Sequence, residues 1–432
     1  MTRAAAIPDG RRGPERAVLV GLAAGEVARA AAEASLDELA GLAEAAGAQV
    51  VLKSVQERPR PDPATFIGHG KVERIRHAAD ELEATLVVFD NELSPAQLRN
   101  LERALDRRVL DRTQLILDIF AARARTREGK LQVELAQLKY LLPRLVGFGA
   151  MLSRLGGGIG TRGPGETKLE TDRRKIRARI ARLERELLEV RRRRGRLRVR
   201  RQRGPVPTVA LVGYTNAGKT TLFNLLTREG APASDALFVT LDPLTREVRL
   251  PGLQAFRLTD TVGFIDRLPH TLVAAFRATL EEVAEADLLL HVVDAAVPDR
   301  ERRTDAVNRV LEEVGAAEVP RLVVLNKVDR LDAAERERLA RTAPEAVCLS
   351  ALTGMGRDDL VAALAAALEL DTCRVRLELD ASRGQDQALI GRLYRQARVL
   401  AHERDGGRVH LEVEVARRLL GRLPLAPARV AP

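Results

Sequence analysis

The chain has no tryptophan, and only three tyrosines and nine phenylalanines in 432 residues. Base stacking on aromatic side chains is therefore expected to be minor. Two cysteines, Cys348 and Cys373, supply neither a disulfide framework nor a thiolate metal site. The six histidines show no close ligand spacing. No apolar run approaches the roughly 20 residues of a membrane-spanning helix. These scarcities lead us to expect a cytoplasmic protein of a reducing compartment with no membrane span. One segment imitates an export signal: Arg11, Arg12 and Arg16 precede Ala17-Val18-Leu19-Val20-Gly21-Leu22-Ala23-Ala24. Because it flows into an amphipathic helical pattern, a first buried strand is the better reading.

Hydrophobic residues make up 45% of the chain and charged residues 30%, a globular balance. The length allows about two to four domains, each with its own core. The net charge of +11 is concentrated. Thr171–Arg203 holds 16 Lys and Arg against 4 Asp and Glu, and the remainder sums to −1. Solubility does not require such a surplus in one segment; contact with a polyanion does. RNA is favoured over membrane, because no large apolar face accompanies the charge. Phosphate contacts would dominate, and binding would weaken steeply with salt.

The apolar run Val209-Ala210-Leu211-Val212 leads into Gly213-Tyr214-Thr215-Asn216-Ala217-Gly218-Lys219-Thr220, which fills the phosphate-loop pattern G-x-x-x-x-G-K-[ST]. A buried strand delivers a turn whose backbone N–H groups wrap phosphates, and the next helix, through Thr221, points its positive end at them. Lys219 is expected on the β- and γ-phosphates and Thr220 on Mg²⁺. Further on, Phe256-Arg257-Leu258-Thr259 runs into Asp260-Thr261-Val262-Gly263, a D-x-x-G box. Asp260 would bind the Mg²⁺ shell and the Gly263 N–H would meet the γ-phosphate. In Phe238-Val239-Thr240-Leu241-Asp242, Thr240 is the preferred second Mg²⁺ hydroxyl, with Thr245 as competitor. Lys219, Thr240 and Gly263 form the expected catalytic set.

Leu322-Val323-Val324-Leu325 ends in Asn326-Lys327-Val328-Asp329, an N-K-x-D box. Asp329 can accept from the ring N–H and the amino group of guanine; adenine lacks that pair of donors and would leave the carboxylate unpaired. Lys327 would lie along the base, and Asn326 would tie this turn to the phosphate loop. Ser350-Ala351 is the expected backbone contact to the guanine carbonyl. In order, these elements predict a GTP/GDP site and GTP hydrolysis. Position 264, where many GTPases place a water-orienting glutamine, is Phe264. Slow intrinsic turnover is therefore expected, rising when a partner supplies the missing positioning. Asn216 either helps K⁺ bind beside the phosphates or only shapes the loop.

Residues 14–126 alternate apolar strands (17–20, 49–52, 86–89, 108–110) with amphipathic helices (33–46, 70–83, 95–105, 113–124), predicting a small parallel sheet. Leu131, Leu135, Leu138 and Leu142, then Ile176, Ile180, Leu183, Leu187 and Val190, follow 4-3-4 steps. Two such seams predict a long antiparallel helical hairpin over 127–203. Its tip, 147–165, has eight glycines and is expected to be mobile, with Arg154 and Arg162 placed to probe RNA. A P-loop GTPase domain is expected over 207–370, with a mostly parallel sheet and helices on both faces. A small α+β domain is expected over 373–432, with strands 374–380 and 408–415 flanking a helix near 385–401. The fold class is α/β.

Several long strings resemble the HflX family of translational GTPases: Asp90–Asn100, Arg123–Tyr140, Gly156–Asp172, Asp260–Ile265 and Leu268-Pro269-His270. The resemblance implies an N-terminal α/β subdomain, a helical hairpin, and a GTPase domain with a hydrophobic residue after D-x-x-G. It implies binding to the large ribosomal subunit and its rRNA, with the hairpin loop reaching toward the peptidyl-transferase centre. It further implies splitting of stalled or idle ribosomes in the GTP state, with hydrolysis stimulated by the ribosome. A monomer is expected. ATP use by the N-terminal region is reported for some relatives, and no signature here supports it. Two other readings stay open: an assembly or RNA-binding GTPase without splitting activity, and an ATP-dependent RNA remodeller.

Overall fold

The computed structural model describes residues 14–25, 28–145, 164–202, 206–227, 230, 237–249, 255–266, 282–370, 372–416 and 430–431. They fall into two compact units. The glycine-rich tip lies almost wholly outside the described residues, as do Leu268-Pro269-His270.

The first unit is built on a four-stranded parallel sheet of β1 (Arg16–Ala24), β2 (Gln49–Arg58), β3 (Leu86–Phe89) and β4 (Arg108–Asp111), in the order β2-β1-β3-β4. β1 imitates an export signal because a central parallel strand is covered on both faces; Ala17, Val18, Leu19 and Val20 are fully buried. Helix Pro95–Leu105 begins with a capping box between Ser94 and Gln97 and a proline in its first turn. At the carboxyl ends of β3 and β4, buried carboxylates organise the loops. Asp90 accepts from Ser35 Oγ at 2.7 Å and Arg112 at 2.9 Å. Asp111 caps helix Arg112–Arg123 and takes Arg144 at 3.1 Å.

Helices Arg127–Arg144 and Pro164–Gln202 form the hairpin. Leu131, Leu135, Leu183 and Leu187 are buried together, with Leu138 and Ile180 against them. Arg179 pairs with Glu134 at 2.7 Å and Lys139 with Glu184 at 2.8 Å across the seam.

The second unit carries a six-stranded sheet of β5 (Thr208–Gly213), β6 (Leu244–Val248), β7 (Phe256–Asp260), β8 (Leu288–Asp294), β9 (Arg321–Asn326) and β10 (Val347–Cys348). Its order is β10-β9-β8-β5-β7-β6, parallel except for β6. The chain leaves β5 toward β7 on one side and continues to β8 on the other. The carboxyl end of β5 is thus a topological switch point, where doubly wound sheets bind ligands.

The same unit holds an antiparallel sheet of β11 (Thr372–Asp380), β12 (Arg398–Asp405), β13 (Arg408–Ala416) and β14 (Val430–Ala431). Helix Gly384–Gln396 packs Leu389 and Leu393 onto Val375, Leu377 and Val413. The expected helix near 385–401 is corrected at its end: residues 398–401 belong to β12, paired with β13.

Candidate functional site

Gly213 ends β5, and Tyr214–Gly218 turn into helix Lys219–Thr227, which carries Thr220 and Thr221. The Lys219 ammonium is buried and donates to the carbonyls of Gly213 at 3.1 Å and Tyr214 at 2.8 Å. Burial pulls its pKa down to about 8; the Asp260 carboxylate opposes that shift and Lys327 adds to it. A cation held this way gains strongly from an arriving phosphate. Thr220 Oγ1 donates to Asp260 Oδ2 at 2.8 Å. A hydroxyl and a carboxylate side by side are hard oxygen donors of the kind Mg²⁺ prefers, so the residues present fit that ion. Among the described residues no cluster of three or more His, Cys, Asp or Glu could hold a metal. A phosphate-borne Mg²⁺ does not need one, because substrate oxygens complete its shell.

The D-x-x-G box lies directly against the phosphate loop. Thr215 N donates to Phe264 O at 2.6 Å and Phe264 N to Gly213 O at 3.1 Å, forming a parallel bridge. Phe264 is buried, so its ring packs in the interior where a glutamine would face water. Gly263 is tightly placed: a Cβ there would come within 2.8 Å of Thr215 Cα and 3.0 Å of Lys219 Nζ. Thr261 is buried and donates to Leu211 O at 2.6 Å, and Val262 is also buried. Asp266 N donates to Tyr214 Oη at 2.7 Å, and the Asp266 carboxylate takes Arg302 and Arg309. Arg303 lies 5.1 Å from the Tyr214 ring centre. None of Asp266, Arg302 and Arg303 was singled out from sequence.

Asn326 ends β9 and is buried. Its Nδ2 donates to Ala217 O at 2.8 Å and its Oδ1 accepts from Ala351 N at 2.9 Å. One side chain therefore bridges the phosphate loop and the Ser350-Ala351 loop. The Ala351 N–H donates to Asn326 Oδ1 and the Ser350 N–H to Met355 O at 2.9 Å, so this loop is braced by its neighbours. Lys327 adopts a left-handed backbone, φ +65°, and Asp329 follows in the 3₁₀ turn Val328–Arg330. Lys327 Nζ pairs with Asp294 Oδ2 at 2.8 Å. His291 on β8 is buried, and burial lowers its pKa to about 4, so it is neutral near pH 7.

Thr240 belongs to a stretch that packs with the first unit. Phe238 meets Phe120 edge-on at 4.7 Å, and Phe238 O accepts from Arg123 at 3.1 Å. Asp242 accepts from the N–H groups of Arg125 and Thr126 at 3.0 and 2.9 Å and from the Thr126 hydroxyl. Val239 is half-buried. The competitor Thr245 sits on β6, its hydroxyl 3.0 Å from that of Thr259 across the β6–β7 pair. Its oxygen is thus committed to the sheet.

A phosphate loop, a D-x-x-G box and an N-K-x-D box at the strand ends of one doubly wound sheet define a P-loop GTPase domain. Comparison with known proteins agrees. Residues 208–327 match the family described as 50S ribosome-binding GTPase. Residues 33–121 and 123–201 match those described as the GTP-binding GTPase N-terminal and middle regions. GTPase HflX of Magnetococcus marinus is 47% identical over 95% of this chain and 94% of its own length. GTPase HflX of Escherichia coli is 48% identical over 88% and 89%, and that of Lacrimispora saccharolytica 53% over 80% and 81%. Among solved structures, a GTP-binding protein from Sulfolobus solfataricus in complex with GDP is 26% identical with a TM-score of 0.43, covering 82% of this chain and 98% of that one. The chain belongs to the GTPase HflX family: it binds GTP and hydrolyses it. No helix among the described residues is long and apolar enough to cross a membrane.

Proposed function

We propose that this GTPase binds the large ribosomal subunit through rRNA phosphates and dissociates stalled or idle ribosomes in its GTP state. The observation that carries this reading is the basic arm. The helix Pro164–Gln202 bears most of the 16 Lys and Arg of Thr171–Arg203 and stands on a hairpin cemented by its own leucine seam. A helical arm with a surplus of 12 positive charges over Thr171–Arg203 suits a phosphate-lined wedge site. The description of the matched GTPase family as 50S ribosome-binding supports the same partner.

The site residues have these roles. Residues 213–221 wrap the phosphates, with Lys219 neutralising the β- and γ-oxygens. Thr220, Asp260 and Thr240 would hold Mg²⁺, which supplies positive charge to the phosphates. The Gly263 N–H meets the γ-phosphate, and Asp329 and Lys327 read the base. Because Phe264 cannot orient water, basal turnover is slow and the ribosome raises it. Binding energy of the GTP state does the splitting, and hydrolysis resets the protein.

Sedimentation of intact ribosomes with this protein and a non-hydrolysable GTP analogue tests the proposal. Free subunits should accumulate with the protein and not with Lys219→Ala. Intact particles persisting at saturating protein would refute splitting and leave an RNA-binding GTPase.

A further inference from the structure

We propose that Asp294 is a positioning residue for base recognition, holding the Lys327 ammonium where it contacts the guanine. This deepens the assignment of Asn326-Lys327-Val328-Asp329 as the base-reading turn and rests on it. β8 is buried from Leu288 to Asp294, and Asp294 is its last residue. A carboxylate and an ammonium withdrawn from water are strongly disfavoured unless they are paired and hydrogen-bonded. Here they are both. The two side chains are only 9% and 13% exposed, and Asp294 Oδ2 meets Lys327 Nζ at 2.8 Å. The other carboxylate oxygen accepts from Ala296 N at 3.0 Å, which fixes the acceptor before the lysine arrives.

The backbone repeats the grip. Ala295 N donates to Asn326 O at 2.8 Å, so the residues ending β8 hold the Asn326-Lys327 dipeptide at two points. Lys327 is in the left-handed region at φ +65°, a conformation that disfavours residues with a Cβ. Such a conformer persists only where its surroundings over-determine it. A lysine otherwise distributes its long stem over many rotamers; a buried partner removes that freedom before the nucleotide binds. Asp294 therefore acts on the base through Lys327, without touching the nucleotide.

The test measures affinity for GDP, inosine diphosphate and inorganic pyrophosphate in the full chain, comparing wild type with Asp294→Asn, Lys327→Met and the double variant. Asparagine keeps the shape and removes the charge. If Asp294 positions Lys327, GDP and inosine diphosphate should weaken alike, on the order of tenfold, because Lys327 does not read the exocyclic amino group. Pyrophosphate should weaken less than GDP, since Lys327 acts on Lys219 only through its charge and Lys219 keeps its own carbonyl partners. The double variant should be no weaker than Lys327→Met alone. Unchanged GDP affinity in Asp294→Asn, additive losses in the double variant, or pyrophosphate weakened in parallel with GDP would each overturn the proposal; the last would make Asp294 a general support of the site. Asp329→Asn separates the underlying assignment. It should collapse the preference for GDP over inosine diphosphate and gain xanthosine diphosphate; an unchanged preference sinks the base-reading turn itself, whatever Asp294→Asn does.

Discussion

Replacing Asn326 with alanine should damage nucleotide binding more than any contact with the nucleotide explains. The side chain is 2% exposed and satisfies two buried backbone groups, the Ala217 carbonyl at 2.8 Å and the Ala351 N–H at 2.9 Å. Its amide orientation follows from those partners, since a flip would set oxygen against oxygen and nitrogen against nitrogen. Truncation orphans both groups at about 1–3 kcal/mol each. Water reaching the small cavity recovers part of this, leaving about 2–4 kcal/mol. Both groups lie in loops that shape the pocket, so the loss falls on the binding-competent geometry and amounts to roughly 30- to 1000-fold in GDP affinity. Asn326→Asp should be at least as severe, because it points a carboxylate oxygen at the Ala217 carbonyl. Gly218→Ala should resemble both: the backbone there has φ +94°, and a Cβ would come within 2.2 Å of Asn326 Nδ2. Equilibrium titration with a fluorescent GDP analogue reads all three. Weakening of Asn326→Ala by less than about threefold would refute the bridge as the organiser of the pocket.

Lys219 makes binding pH-dependent. Its pKa in the nucleotide-free site is about 8, and a bound phosphate raises it, so above that pH binding must take up a proton. GDP affinity should be flat near pH 7 and fall by up to about tenfold per unit above pH 8; a flat profile would contradict the assignment. Lys219→Ala should lose measurable binding. Thr240→Ala should reduce single-turnover GTP hydrolysis by about 100-fold. Thr245→Val should leave that rate intact and cost about 1 kcal/mol of stability through the lost contact with Thr259; the reverse pattern would exchange their roles. Leu183→Ala, at a fully buried seam position, should cost the hairpin about 2–5 kcal/mol, seen as faster amide exchange along Arg127–Arg144.

The nucleotide site was legible because its chemistry is local: each box is a few residues at a strand end, and phosphate or base recognition dictates the residue types. The hairpin was legible because its seams repeat. What escaped the sequence was long-range. Asp294 reads as a carboxylate closing an apolar strand until Lys327, 33 positions on, is seen beside it. The anchoring of Phe238 and Asp242 on Phe120, Arg123 and Thr126 joins residues more than 100 positions apart. Spacing from the phosphate loop favoured Thr240 over Thr245, and strand pairing commits the second to the sheet. The overlong helix near 385–401 arose because apolar spacing continues from Leu389 and Leu393 through Val399. The helix ends at Gln396 with Ala397 as its C-cap, and neither glycine nor proline announces the stop.

GTP turnover with and without large ribosomal subunits, followed across a salt series, tests the central proposal most directly. A GTP-state arm that engages rRNA phosphates predicts strong stimulation by the subunits at low salt and a steep decline of that stimulation as salt rises. Turnover indifferent to the subunits, or stimulation that does not respond to salt, would contradict it.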